Sequence, residues 1–295
     1  MEFQYLESFY TTVKYKSISK AAAALHLTQP GLSLQLKSLE NEMGSQLLVR
    51  SNKGVHLTEE GKVVYNYAVT MLSLKGNVKR DLQSLQENSN KLLIGSCRSV
   101  GEYALPCSVY LFKKFYTDVE IQIKLMSSHE VIQKLMDHTI NLGIVQDLPL
   151  PEEITTKTIM TDELVLVGKT AVEGEISLDE LKKLPLILRE EGSATRQLLQ
   201  RALAEKGLGV EQLNVIYNLE SPGAIKSSIS AGDGFSFLPR LILKKDLKEG
   251  TLNPIKVQGL NVTFNYNIAY RKNVVLSECE KNFAEFIHSG RRGFC

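Results

Sequence analysis

The stretch SISKAAAALHLTQPGLSLQLKSLE, Ser17 to Glu40, constrains this 295-residue chain more than any other. Two short helical patterns follow one another with only a few residues between them. Ser17 or Ser19 can cap the first, and Ala21 to Ala24 are small enough to let two helix backbones cross closely. Thr28 is a good N-cap for the second. Pro30 is tolerated in a first turn, because its missing N–H would be unpaired there anyway. Beyond it Leu32, Leu36, Leu39 and Met43 stack on one face. The opposite face carries Pro30, Leu34, Lys37 and Asn41, with Ser33 on its flank and Gln29 just before it. Upstream, Phe3, Leu6, Phe9 and Val13 recur at helical spacing and form a preceding helix. The arrangement reads as a helix-turn-helix whose small, polar and basic face can enter a DNA major groove. An ordinary helical hairpin with a solvated face has the same pattern.

The segment that follows favours the first reading. GSQLLVRSNKGVHLTEEGK, Gly44 to Lys62, gives a glycine stop, an apolar pair, Arg50, a turn at Asn52-Lys53-Gly54, and a short strand around His56. This is a hairpin wing with basic residues near its tip, placed to meet phosphates beside the groove. Charge agrees. The net charge of +2 is uninformative for the whole chain, but residues 1–90 hold ten Lys and Arg against eight Asp and Glu, and the remainder holds 25 of each. The expected DNA contacts are Gln29, Ser33 and Leu34 at base edges and Pro30 on the same face, with Lys37, Arg50 and Lys53 at phosphates or the adjacent groove.

On the Ala-rich helix, TQPGLSLQLKSLE, LLVRSNKGVHLTEEG and the long helix after them, the sequence resembles the LysR-type transcriptional regulators. The match is dense over about the first 65 residues. Leu34 departs from it, since that position is often basic or polar in the family, so altered base readout is expected there. The resemblance implies an α/β chain in three parts. A winged helix-turn-helix domain spans 1–58, and a linker dimerisation helix with a hinge spans 59–90. An effector-binding domain spans 91–295, built like a periplasmic binding protein from two subdomains, about 91–161 with 266–295 and about 162–265. It also implies two dimers joined into a tetramer through the effector domains, with RNA polymerase as a candidate further partner.

Thr58 can cap the linker helix, and Glu59 and Glu60 suit its positive N-terminus. Val64, Met71, Val78 and Leu85 repeat every seven residues, with Tyr67 and Leu74 at a second position that drifts to Leu82. That pattern predicts a two-helix coil between two copies, and a helix lying on its own effector domain is the alternative. ENSNK, Glu87 to Lys91, is a polar break that can serve as a hinge.

From Leu92 the period changes. KLLIGS, IQIKLM, INLGIV, ELVLVG, LPLIL, NVIYN, FSFLP and FNYNIAY read as strands. Helical patterns such as EYALPCSVYLFKKFY, SHEVIQKLMDH, TRQLLQRALAEKG and PGAIKSSISAG lie among them, which implies open sheets with crossover helices. Three loops stand where strands lead into helices. They are GSCRSVG with Ser96, Arg98 and Ser99; SSHE with Ser128 as the expected cap; and REEGSATRQ with Ser193, Thr195 and Arg196. Helix N-termini offer N–H groups and partial positive charge, so together these loops predict a cleft for a small molecule or inorganic anion. Singly, each serine or threonine is an ordinary cap. The GSATR loop resembles the LysR subgroup that senses small metabolites or inorganic anions in sulfur, nitrogen or carbon assimilation.

Other functions find less support. There is no nucleophile elbow, P-loop or HExxH, and the five histidines are scattered, so neither catalysis nor a metal site is expected. Cys97, Cys107, Cys279 and Cys295 show no CxxC spacing, which indicates neither zinc nor a disulfide framework. Cys97 starts a helix, where a thiol pKa can fall, so a thiol-based redox regulator is a rival reading. A solute-binding protein is another. The chain opens without a charged-then-apolar leader and has no run long enough to span a bilayer, so a cytoplasmic location without membrane contact is expected. The expected partners are double-stranded DNA, a small effector and a second copy of the chain, with no cofactor.

Overall fold

The computed structural model describes residues 2–51, 54–87, 90–232, 234–290 and 292–294, leaving out the side chains at 80, 81, 83–87 and 90. The chain forms two compact units, residues 1–88 with 137–139, and residues 89–136 with 140–295.

The first unit holds α1 (Phe3–Tyr15), α2 (Ile18–Ala24), α3 (Gln29–Met43), β1 (Leu48–Ser51), β2 (Gly54–Leu57) and α4 (Glu59–Glu87). Ser17 caps α2 by accepting from Lys20 N, and Thr28 caps α3 by accepting from Gly31 N at 3.2 Å. Gly44, at φ 64°, ends α3 in a left-handed turn that a Cβ would strain. The core is Leu6, Phe9, Ala21, Ala22, Leu32, Leu36, Leu39 and Leu47, with Ala68 brought in from α4. The alanines thus do what their size allows, seating α2 against its neighbours. Antiparallel β1 and β2 make the wing. The Glu40 carboxylate accepts from the N–H groups of Leu47 and Leu48 at 2.8 and 3.1 Å, which ties the wing to α3. Thr58 caps α4 by accepting from Gly61 N, and a Cβ on Gly61 would lie 2.0 Å from the Leu47 carbonyl oxygen.

The second unit is one mixed sheet with helices on its faces. Its elements are β3 (Asn90–Cys97), α5 (Arg98–Tyr103), α6 (Leu105–Phe115), β4 (Val119–Met126), α7 (Ser128–Met136), β5 (Leu142–Gln146), β6 (Ile154–Gly168), β7 (Glu175–Ile176), α8 (Leu178–Leu181), β8 (Leu186–Arg189), α9 (Ala194–Ala204), β9 (Val215–Leu219), α10 (Pro222–Ala231), β10 (Phe235–Pro239), α11 (Arg240–Glu249), β11 (Asn253–Val257), β12 (Val262–Arg271) and α12 (Glu278–His288). The main path runs β4-β3-β5-β12-β6-β10-β8-β9. Parallel β3, β4 and β5 form one half, and parallel β8, β9 and β10 the other. Long antiparallel strands β6 and β12 run through both. The early part of β6 pairs with β12 beside β5, and its end, Leu164–Gly168, pairs with β10. A register shift at Tyr266/Asn267 marks the crossover. This is the two-subdomain effector-domain architecture.

β5 and β8 are buried along their whole length, as parallel strands covered on both faces are. The sequence reading found them but missed the first half of β6 and all of β11. ITTKTIMTD is polar and partly exposed, and its strand character comes from pairing with β12 rather than from apolar alternation. Cys97 and Cys279 are free. Cys107 is disulfide-bonded, which the cysteine spacing did not indicate. Cys295 lies outside the described residues.

Candidate nucleic-acid face and effector cleft

On α3 the buried leucines fix which way the helix turns. Gln29, Pro30, Leu34 and Lys37 are exposed and Ser33 is half-buried. Leu34 is 67% exposed on this face. The Ser8 hydroxyl donates to Gln35 Oε1 at 2.5 Å, fixing the rotation of α3 against α1. Sequence reasoning missed this pair, whose members are 27 residues apart. Lys37 and Arg50 are exposed and form no ion pair among the described residues. Glu40 is engaged by the wing's N–H groups and so does not neutralise them. Lys53, expected at the wing tip, lies outside the described residues.

The seam expected on α4 is only partly available to a partner. Val64 and Met71 are half-buried and pack on the helix-turn-helix core, because α4 lies against α1 with Tyr65 stacked on Tyr10 at 5.7 Å. The exposed apolar stripe is Val63, Tyr67, Leu74, Val78 and Leu82. The Leu85 side chain lies outside the description.

In the second unit the three loops meet where the strands end. Ser96, Ser99, Ser128, Ser193 and Thr195 are all buried. The Ser96 hydroxyl donates to the Cys97 carbonyl at 3.1 Å, and Ser99 hydrogen-bonds the Tyr266 phenol. Ser128 is not the cap of α7. Ser127 caps it, accepting from Glu130 N at 3.1 Å, so Ser128 turns inward and accepts from Gln146 N at 3.0 Å. Ser193 caps α9 by accepting from Arg196 N at 3.2 Å. Thr195 donates to Gln146 Oε1 at 3.1 Å. Arg98 is partly exposed and lies 4.0 Å from Glu220. Arg196 is buried. Its Nη1 donates to the Arg189 carbonyl at 3.2 Å and to Asn218 Oδ1 at 2.7 Å, while its Nε has no partner. No carboxylate lies within ion-pair distance of it among the described residues; burial lowers its pKa, and the charge of Glu191 acts the other way.

Sequence reasoning missed three residues here. Gln146 ends β5, Arg189 ends β8, and Tyr266 sits at the register shift in β12. The first two could have been found as polar residues closing otherwise apolar parallel strands. Arg189 is bidentate to Glu190 at 2.8 and 2.9 Å, so its charge is matched. Burial pushes the Tyr266 phenol well above its ordinary value, and the neighbouring Cys97 and Asp162 add to the effect.

Cys97 departs from the redox expectation. Burial pushes its thiol up to about 11, outweighing the Val100 N–H, Arg189 and Ser128, which act the other way. A helix start lowers a thiol pKa only where the thiolate can be solvated or paired, and here it is enclosed.

Two surface cavities lie away from these loops. One, of about 380 Å³, is lined by Ser177, Lys206 and Gln258 among others, and one of about 250 Å³ lies between α6 and α12. Among the described residues no cluster of three His, Cys, Asp or Glu could hold a metal, and no helix is long and apolar enough to cross a membrane.

The geometry has counterparts in known proteins. The model of the LysR substrate binding domain matches residues 85–292, and that of the bacterial regulatory helix-turn-helix protein, lysR family, matches residues 3–62. An uncharacterised helix-turn-helix transcriptional regulator of Methanocaldococcus jannaschii is 30% identical over 97% of this chain and 98% of its own length. The structure of full-length CbnR complexed with its target DNA superposes with a TM-score of 0.71 at 20% identity, covering 97% of this chain and 99% of that one. The regulatory domain of Synechocystis CcmR, in complex with 2-PG, superposes with a TM-score of 0.62 at 19% identity, covering 68% of this chain and 96% of that one. With both halves of the chain matched, the protein belongs to the LysR family of DNA-binding transcriptional regulators.

Proposed function

We propose that this regulator reads duplex DNA with α3 and its wing, pairs through α4, and changes its grip on DNA when a small oxyanion binds between the two halves of the effector domain. The observation that carries the DNA part is the α3 face. Exposed Gln29 and Leu34 and half-buried Ser33 suit base edges, with Leu34 against a thymine methyl, and Lys37 and Arg50, exposed and in no ion pair among the described residues, suit phosphates. CbnR, which shares the fold, is known bound to its target DNA. A helix-turn-helix needs a second copy to span two half-sites, and the exposed α4 stripe suits that role. Two dimers joined through their effector domains make the working tetramer, acting in the cytoplasm with RNA polymerase as a further partner.

The effector reading rests on Arg196. A buried guanidinium with an unpaired Nε and no carboxylate within ion-pair distance among the described residues, Glu191 acting only from farther off, is costly unless an anion joins it. Serine and threonine hydroxyls, Arg189 and the N-terminus of α9 surround the same region, and the CcmR domain of the same fold holds 2-PG. An oxyanion touching both halves favours a closed cleft. That domain rotation changes the spacing of paired DNA-binding ends and so the bend imposed on DNA. Gel shifts with total genomic fragments at several salt concentrations, with and without small anions, test both parts. A pure solute-binding protein shifts no fragment.

A further inference from the structure

Gln146 is a buried side chain that joins the two halves of the effector domain, where Arg98–Glu220 and Lys226–Tyr103 join them nearer the surface. It ends β5 in the half built on β3, β4 and β5, is 3% exposed, and is held from below by its own N–H to Ser128 Oγ. Its amide oxygen accepts from the Thr195 hydroxyl, which opens α9 in the half built on β8, β9 and β10. Its amide nitrogen reaches the Tyr266 hydroxyl at 3.5 Å. Thr195 is 2% exposed, so the bond between Thr195 and Gln146 is enclosed. The next residue is Arg196, a buried guanidinium with an unpaired Nε; among the described residues no carboxylate lies within ion-pair distance of it, and Glu191 acts on its charge from farther off.

These placements set a competition. The Thr195 hydroxyl has one proton to donate. Here that proton goes to a neutral amide oxygen. An oxyanion is a better acceptor for it, because hydrogen bonds to a charged acceptor are stronger. We propose that the Gln146 amide oxygen is an internal stand-in for an oxygen of the effector, and that a carboxylate, sulfate or phosphoryl group must displace it to take the Thr195 hydroxyl. Gln146 therefore sets how readily the cleft accepts its effector while making no contact the bound effector keeps. This rests on the reading that the effector binds between the halves.

The competition gives the two ends of one hydrogen bond opposite effects on binding. Gln146→Met keeps nearly the same length and volume and removes the competing amide. It is expected to raise oxyanion affinity about fivefold, the size of one buried hydrogen bond. Thr195→Val removes a donor the effector uses and is expected to lower affinity about fivefold or more. A merely structural bond predicts the same direction for both. Gln146→Glu, a second variant, fixes a carboxylate beside Thr195 and is expected to reproduce, with no anion added, the DNA-footprint change that the anion causes in the wild type.

The measurement is calorimetry of the full chain with sulfate, inorganic phosphate and acetate, beside footprints of all four proteins. Tighter binding by Gln146→Met, or an anion-like footprint from Gln146→Glu, supports the assignment. Equal or weaker binding by Gln146→Met, with the wild type binding at least one of the anions, overturns the role of Gln146 and leaves the effector site standing. Binding of none of the three by wild type or variant overturns the oxyanion reading of the cleft, and the stand-in with it.

Discussion

Tyr67→Ala separates two seams on α4 that the heptad count alone runs together. Tyr67 is 65% exposed within its own unit, whereas Met71, four residues on, packs on the helix-turn-helix core. A tyrosine carries roughly 150–250 Å² of surface, so a partner helix covers about 100–160 Å² of it. At ~25 cal/mol per Å² that is about 3 kcal/mol per protomer, of which about 2 is lost when the side chain is cut to a methyl. The substitution occurs twice in a dimer, so the loss is about 4 kcal/mol, or roughly a thousandfold in the dimer constant. Folding stability should change little, because the ring is not part of the unit's core. Met71→Ala should do the reverse, costing about 1–2 kcal/mol of folding with little effect on pairing. Sedimentation equilibrium and urea unfolding, run on both variants, read the two quantities separately. If Met71→Ala splits the dimer and Tyr67→Ala leaves it intact, pairing runs through Val64 and Met71 and the exposed stripe is only a solvated face.

Three further perturbations follow from the site descriptions. Arg50→Ala should weaken binding to all DNA sequences about equally and reduce the slope of log affinity against log salt by about one unit, and a sequence-dependent loss in fluorescence titrations would place Arg50 at a base instead. Glu40→Gln removes the charged acceptor for Leu47 and Leu48 and should lower unfolding stability by about 1–2 kcal/mol in urea, and an unchanged midpoint would show that the wing does not depend on it. With its thiol held at about 11, Cys97 should resist alkylation at pH 8 until urea unfolds the chain. The unfolded state releases that proton near 9.0 and the native state keeps it to about 11, so this thiol's contribution to stability falls as pH rises through that interval.

What could be read in advance was local. Thr28, Gly44 and the Leu32–Leu36–Leu39 spacing declare α3 within one segment, and the structure keeps all of them. The strands of the effector domain showed where burial made them apolar up to a closing polar residue, as in β5 and β8. What failed depended on distant partners. A seven-residue repeat cannot say which side of α4 another core will claim, and Tyr10 and Ala68 decide that. Ser127 and Ser128 are equivalent as letters, and only the seat of α7 turns the first to the helix and the second to Gln146. Gln146 and Thr195 lie 49 residues apart, so their bond leaves no mark on spacing. The rival redox reading of Cys97 loses support because a helix start is visible in sequence and enclosure is not.

The claim that α3 reads DNA through its exposed face is tested most directly by selecting bound duplexes from a randomised library with wild type and with Leu34→Arg. The account predicts that wild type enriches a two-fold-related pair of half-sites containing a thymine that Leu34→Arg replaces with another base, chiefly guanine, while the other positions stay the same. Identical enriched sequences from the two proteins, or no enrichment by a wild type that still binds DNA, would contradict it.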